Sequence, residues 1–375
     1  MSMKVVISGY VGKKITGIGR NLISLLNAVE SDTKYVIYVN RDMKDDFVFT
    51  NSNVEIKECP ISKMSSMKNL LWTTFVFPFK VLSEKADRAL IPNFTLLLLK
   101  FRPTDIIMHD LIEYNVPNKF SKLKMFYRTK LANPITAKIA NRIITISECS
   151  KCDIMKFLGV KESKISIVRC GVDQKKFSKM NEDRAKLILQ RKKWPLNFLL
   201  YVGTVDHPGK NAMSVIKAFE NLKEKNKYHG NLVLAGMPGA GFETIDDYVQ
   251  KSKYKNEIFV TGFVTDEELV ALYSKCDVFC FVSLYEGFGI PPLEALACGA
   301  KVVVSNTSSL PEVVGDIGIT VNPENLDEIT EGIYKTLSKN ISESYQNKVK
   351  KHLDNYRWEV LGQEFDKIVC KKGEM

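Results

Sequence analysis

Residues 277–306 read DVFCFVSLYEGFGIPPLEALACGAKVVVSN. The ends of this stretch, DVFCFVS (277–283) and KVVVSN (301–306), are short runs with apolar residues on both faces. Such runs suit strands of a parallel sheet covered on both sides. Between them, Gly287 and Gly289 permit a sharp turn with close backbone approach. Pro291 and Pro292 fit the first turn of a helix, where no N–H is needed, and Gly299 is placed to end it. The order strand, loop, short helix, strand is the unit from which an α/β sheet is built.

The same unit recurs outward in both directions. KVVIS (4–8), YVIYV (35–39), DIIMH (105–109), RIITIS (142–147) and KISIV (164–168) read as strands in the first half. NFLLYVG (197–203), NLVLAG (231–236) and EIFVTG (257–262) join the opening pair in the second. Helical stretches separate them, beginning with residues 17–26. The expectation is an α/β protein with two doubly wound domains. A charged stretch at 173–195, ending in Pro195, reads as the link between them. YRWEVLGQEFDKIV (356–369) reads as a late amphipathic helix. The domains are expected at 1–175, joined by 356–375, and at 176–355.

Of 375 residues, 45% are hydrophobic and 26% charged, the balance of a globular chain able to bury a large core. No run approaches the ~18 apolar residues of a membrane-spanning helix. The start, MSMKVVISGYVG, lacks the pattern of a secretory signal, so a cytoplasmic location is expected. The eight cysteines are scattered, as for reduced thiols. Cys149 and Cys152 form one CxxC with no second pair at zinc-like spacing, an incidental spacing.

The net charge is +11, and it is concentrated. Residues 60–142 hold 14 Lys and Arg against 5 Asp and Glu, or 14 − 5 = +9, leaving 11 − 9 = +2 for the rest. Within 63–102, Lys63, Lys68, Lys80, Lys85, Arg88, Lys100 and Arg102 mix with Leu70, Leu71, Trp72, Phe75, Phe77 and Phe79. This mixture suits peripheral contact with an anionic membrane, on the inner face of the cell membrane. The competing reading is a core of aromatics beneath solvated lysines. Nucleic-acid binding would also use the charge, but no helix-turn-helix, RNA-recognition or zinc pattern is present, so no nucleic-acid partner is expected.

Ligands of parallel sheets collect at strand carboxyl ends, where loops meet helix N-termini. Three such loops carry glycine and charge. In SGYVGKKITGIGRN (8–21), Gly17 and Gly19 precede a helix, with Arg20 beside them. The dinucleotide fingerprint GxGxxG is incomplete there. In GTVDHPGKN (203–211), Lys210 stands where a helix begins, suited to a diphosphate. In the opening stretch, Glu286 lies on the loop and Glu294 about one turn into the helix. A carboxylate accepts two hydrogen bonds from vicinal hydroxyls, so one acid could hold a hexose and the other a ribose.

These residues resemble a known family. EGFGIPPLEALACGAKVVVS is similar to the E-x7-E region of family 4 retaining glycosyltransferases of the GT-B fold. TGIGRN, MHDL, ITISECSKCDI, GVD, YVGTVDHPGKN and VTGFVTDEELVALYSKCDVF match further elements of that family in the same order, from about residue 4 to Trp358. The resemblance implies two Rossmann-like domains with parallel sheets facing across a cleft, the first binding acceptor and the second a nucleotide-diphosphate sugar. It implies that Glu286 holds donor hydroxyls, that Gly287, Phe288, Gly289 and Ile290 line sugar and phosphates, and that Glu294 binds the ribose. Lys210, with Gly203 and Thr204, would meet the diphosphate, and Gly17, Gly19 and Arg20 would face it from the other domain. His109 would sit beside the reacting sugar, and Gly262 and Val264 beside the base. One departure is Thr204, where many members carry an arginine, which leaves more of the phosphate charge to Lys210.

The implied reaction is retaining hexosyl transfer to a glycan or polyprenyl-linked acceptor in cell-surface polysaccharide synthesis. The details GIGR and HDL lean toward mannosyl or rhamnosyl transfer, with GDP-mannose as one donor. No DxD pair stands at a strand end, so no cofactor and no metal are expected. The alternatives are a catalytically silent sugar-nucleotide-binding protein, which would lose the two acids that are present, and a GT-B epimerase. A phosphorylase would need a pyridoxal lysine context that is absent.

Overall fold

The computed structural model describes residues 2–371 except 11–14, 16, 60, 62–64, 94 and 117–119. The chain forms two units. The first comprises Met1–Gly171 with Trp358–Met375, and the second Val172–Arg357.

The first unit holds seven strands: β1 (Lys4–Ser8), β2 (Lys34–Asn40), β3 (Val54–Cys59), β4 (Arg88–Ile91), β5 (Thr104–Ile107), β6 (Arg142–Thr145) and β7 (Ile165–Ile167). They form one sheet in the order β3-β2-β1-β4-β5-β6-β7, every neighbouring pair parallel. The second unit holds β8 (Phe198–Val202), β9 (Asn231–Ala235), β10 (Ile258–Gly262), β11 (Val278–Phe281), β12 (Val302–Ser305) and β13 (Ile319–Val321). Their order is β10-β9-β8-β11-β12-β13, again parallel throughout. In both sheets the winding reverses beside the first strand, between β1 and β4 and between β8 and β11. A ligand crevice belongs at such a reversal.

Three strands escape the sequence reading. VEIKEC (β3) alternates charge with apolar residues because it is an edge strand, wet on one side. RALI (β4) begins with an arginine, and ITV (β13) is only three residues long. The stretch 173–195, read as a link, contains the helix Glu182–Arg191. That helix packs on the helix Asp266–Lys275 within the second unit and pairs Arg184 with Glu267 at 2.7 Å.

The helix Trp358–Cys370 buries Leu361, Phe365 and Val369 in the core of the first unit, with Leu22 and Leu26 of the helix Gly17–Asn27. Gly362 lets the two helices touch, since a Cβ there would lie 2.5 Å from the Ala28 carbonyl oxygen. The end of this helix meets three charges from the amino ends of β4, β5 and β6. Asp105 accepts from Arg88 at 2.7 Å and lies 3.7 Å from Arg142. Arg88 donates to the Lys371 carbonyl at 3.1 Å, and Arg142 donates to the carbonyls of Ile368 and Lys371. Two guanidiniums thus satisfy orphan carbonyls at the helix C-terminus. This corrects the expectation for Arg88, which is buried in an ion pair and unavailable to a membrane.

Two helical runs contain π segments, Trp72–Val76 and Tyr127–Ala132. Each precedes a proline, Pro78 and Pro134. Proline lacks an N–H and its ring crowds the carbonyl four residues back. Those carbonyls belong to Thr74 and Lys130, inside the widened turns, so the insertion absorbs the clash.

Candidate functional site

In the second unit, β8 and β11 are neighbours, so the loops that follow them meet. Leu284 N–H donates to the Gly209 carbonyl at 3.0 Å. Asn211 holds a left-handed conformation, φ 59°. Its buried amide donates to the carbonyls of Val282 at 3.0 Å and Pro323 at 2.8 Å. Asp206 accepts the backbone N–H of Lys210 at 2.5 Å. These bonds fix the backbone on both sides of Lys210. Its ammonium lies 2.6 and 2.7 Å from the two oxygens of Glu286 and 5.9 Å from the Phe281 ring centroid. Seventy-six residues apart, the two charges become one part-buried pair.

The Glu286 loop is pinned by hydroxyls from the segment after β12. Ser308 accepts the Glu286 N–H at 3.1 Å. Ser309 donates to the carbonyls of Glu286 at 3.0 Å and Phe288 at 2.6 Å. Thr307 donates to the Leu284 carbonyl at 3.2 Å. Gly289 turns the chain at φ 105°, with Leu310 packed where a Cβ would stand. The helix Ile290–Ala297 then starts with its prolines in the first turn, and Gly299 follows at φ 83°, as the sequence implies. The Phe288 ring is buried 6.0 Å from Tyr356, so this residue can offer a ligand only its backbone. Glu294 accepts from Tyr273 at 3.2 Å. Burial, then the Glu294 carboxylate, drives the Tyr273 phenol far above its usual range, so it stays a donor.

Gly203, Gly236 and Gly262 follow or end the adjacent strands β8, β9 and β10. Gly236 bridges Gly262, and a Cβ on Gly236 would lie 1.8 Å from the Gly203 carbonyl oxygen. Three strand ends thus approach with bare backbone. Thr204 accepts the Tyr201 hydroxyl on its carbonyl at 2.7 Å. Val264 is half-buried, and beside it Phe263 is 76% exposed. Lys210 and Glu286 are in direct contact, whereas Gly262 and Val264 belong to the β10 end.

In the first unit, Gly17 opens the helix Gly17–Asn27 with no atom within 4 Å of where a Cβ would stand. Gly19 is buried and Arg20 exposed. Most of the loop before them, 11–14 and 16, lies outside the described residues. His109 follows β5, with Nε2 3.3 Å from the Pro92 carbonyl oxygen. The Ser150 hydroxyl donates to the His109 carbonyl at 3.0 Å. Loss of water pushes the ring down to about 4, opposed by the Pro92 bond. The imidazole is therefore neutral at physiological pH.

That shift predicts an acid-sensitive fold. The folded pKa lies below the unfolded value of ~6.5, so the unfolded chain binds more protons between them. This part of the stability is present above pH ~6.5 and falls through pH ~4, by up to roughly 3 kcal/mol. Urea midpoints at neutral and acid pH should diverge more for the native chain than for His109→Gln. Parallel pH curves for the two proteins would refute the assignment.

Sequence reading passed over Asn211, Asp206, Tyr273 and the run Thr307-Ser308-Ser309. Only the asparagine in GKN carried a local signal, because asparagine tolerates left-handed backbone. The serines are ordinary residues whose role arises when β11 and β12 pair. Among the described residues no group of three His, Cys, Asp or Glu side chains is arranged to hold a metal ion.

Residues 181–353 match the family model described as glycosyl transferases group 1. The chain is 30% identical over 234 residues to O-antigen chain mannosyltransferase B of Escherichia coli, covering 61% of this chain and 60% of that one. It is 28% identical over 258 residues to the serotype-specific mannosyltransferase WbdA of Escherichia coli, covering 66% of this chain and 30% of that one. The matched stretches thus span 60% and 30% of the lengths of these two relatives. O-antigen chain mannosyltransferase RfbU of Salmonella typhimurium is 26% identical, with 84% of this chain and 85% of that one covered. Among solved structures, a glycosyltransferase from Rickettsia africae has TM-score 0.73 at 14% identity, over 99% of this chain and 100% of that one. WaaG, a glycosyltransferase involved in lipopolysaccharide biosynthesis, has TM-score 0.70 at 14% identity over the same shares. At such identity the likeness speaks for the fold alone: two Rossmann-like units, as in GT-B proteins.

Proposed function

We propose that this chain, whose residues 181–353 belong to the glycosyl transferases group 1 family, moves a hexosyl unit from a nucleotide-diphosphate sugar to a hydroxyl. The donor is GDP-mannose or another NDP-hexose. The acceptor is a glycan or a polyprenyl-linked glycan of a surface polysaccharide at an anionic membrane. The mannosyltransferase relatives support the sugar class, and the Lys210–Glu286 pair at the β8/β11 reversal carries the chemistry.

Breaking the anomeric bond leaves an oxocarbenium-like sugar and a charged nucleoside diphosphate. Whatever stabilises that diphosphate lowers the barrier. Lys210 supplies the charge, and the backbone of Gly287, Phe288 and Gly289 lines the sugar and phosphates. Glu286 holds hydroxyls of the sugar, and Glu294 those of the ribose. Without donor, the Glu286 carboxylate sits where a phosphate would meet the ammonium, so a donor must displace it. Configuration is retained by attack on the face from which the leaving phosphate departs, that phosphate taking the acceptor proton. No metal takes part.

A thermal-shift series with UDP, GDP, dTDP and ADP tests the donor. One nucleotide should raise the midpoint, since a ligand at about 100 times its Kd adds about 2.7 kcal/mol. GDP is the expected one, and its effect should survive EDTA. Silence toward all four would defeat the proposal.

A further inference from the structure

The helical run Ser66–Leu71, Trp72–Val76, Phe77–Ser83 turns two apolar faces in different directions. Trp72, Phe77 and Val81 enter the core. Met67, Leu71, Phe75, Phe79 and Leu82 are exposed, Phe75 and Phe79 at 57% each. The first four, spaced by four residues, would drift around an ordinary helix by about 40° per step. The wider π turn at Trp72–Val76 offsets part of that drift. Phe79 meets the exposed Phe101 at 5.2 Å between centroids, extending the stripe to the exposed pair Leu98 and Leu99. A monomer seldom leaves so large a contiguous apolar surface in water.

Charge identifies what covers it. Residues 61–83 and 95–103 contain no Asp or Glu. Lys68, Lys85 and Arg102 are exposed at the stripe. Glu84, at its end, is occupied by Lys4, Lys57 and Tyr38. A protein partner would ordinarily be met with both signs of charge. An apolar stripe whose border is mostly cationic, its nearby acids Glu84 and Asp87 being bonded to Lys4, fits the boundary of headgroups and acyl chains in an anionic bilayer. No helix among the described residues is long and apolar enough to cross a membrane, so the contact would lie in the interface.

We infer that the face of the first unit formed by Met67, Leu71, Phe75, Phe79, Leu82 and Phe101 is the surface that docks on anionic lipid. This deepens, and for its purpose rests on, the reading of a lipid-linked acceptor. The test is flotation with vesicles of about three parts phosphatidylcholine to one part phosphatidylglycerol, against phosphatidylcholine alone. The native chain should float with the anionic vesicles only. Leu71→Ser/Phe75→Ser/Phe79→Ser should lower partitioning at least about tenfold, with unchanged melting midpoint and unchanged response to the stabilising nucleotide. Lys68→Glu/Arg102→Glu, which leaves the apolar stripe intact, should also weaken binding, and more so at low salt. No retention by anionic vesicles, or undiminished retention of both variants, overturns the inference. So does a native dimer that the triple serine variant dissociates, since the stripe would then be covered by a second copy. Vesicle binding together with silence toward every nucleotide would sink the donor reading and leave the docking face standing.

Discussion

Glu286→Gln is expected to abolish glycosyl transfer while leaving nucleotide binding intact or tighter. The substitution keeps the shape of the side chain and removes its charge. Two consequences follow from the contact at 2.6 and 2.7 Å with Lys210. The donor sugar loses a carboxylate acceptor for its hydroxyls, a contact in which charge strengthens each hydrogen bond. Lys210 at the same time loses the internal anion that competes with the diphosphate. Transfer should fall by about 10³-fold, equivalent to about 4 kcal/mol of barrier. The apparent Kd for the nucleoside diphosphate should hold or fall up to about tenfold. Lys210→Ala should do the reverse on binding, weakening the nucleotide and cutting kcat/KM by about 10²–10³. The opposite movement of the two nucleotide affinities distinguishes a competing ion pair from a merely structural one. A Glu286→Gln enzyme with near-native rate, or one whose nucleotide affinity collapses with that of Lys210→Ala, would refute the role. Melting midpoints of both variants serve as the folding control.

The largest loss of stability is expected from Asp105→Ala. Asp105 is fully buried and Arg88 nearly so, 2.7 Å apart, and Arg142 closes the group from the other side. Burial pushes the Asp105 carboxyl up, while the two guanidiniums pull it down. Removing the aspartate leaves two cations at the foot of the sheet with only carbonyls as partners. Breaking such a pair costs about 3–5 kcal/mol, or about 10 °C in the midpoint of a unit this size. The same cations cap the helix Trp358–Cys370, so its end should loosen too, visible as faster amide exchange near Ile368. Arg88→Met/Asp105→Leu removes both charges and should recover part of the loss, since a packed apolar pair avoids desolvation. An Asp105→Ala midpoint within about 2 °C of the native one would show that the group contributes little.

Much of the molecule was legible as pattern. Ten strands announce themselves as short apolar runs, because a strand covered on both faces must be apolar throughout. The turn at 285–299 was legible in detail, since proline and glycine restrict backbone directly and need no neighbour to do so. Both acids, Lys210 and His109 stand out as candidates by chemistry and by position near strand ends. The stretch 173–195 misled because its charge reflects one wet face of the helix Glu182–Arg191, which composition does not separate from a linker. β3, β4 and β13 were missed because an edge position or a short length erases the apolar run.

Local sequence therefore determined the alternation of strand and helix, the bend at Gly287–Gly289 and the kinds of group available at each strand end. Tertiary structure alone decided which groups meet. Lys210 touches Glu286 because β8 and β11 pair across the reversal of winding, and hydrogen bonds between strands 76 residues apart in sequence leave no local trace. It also decided that Trp72 and Phe77 enter the core while Phe75 and Phe79 face water. A helix apolar on every side carries no mark of which face is covered, and the rest of the fold makes that choice.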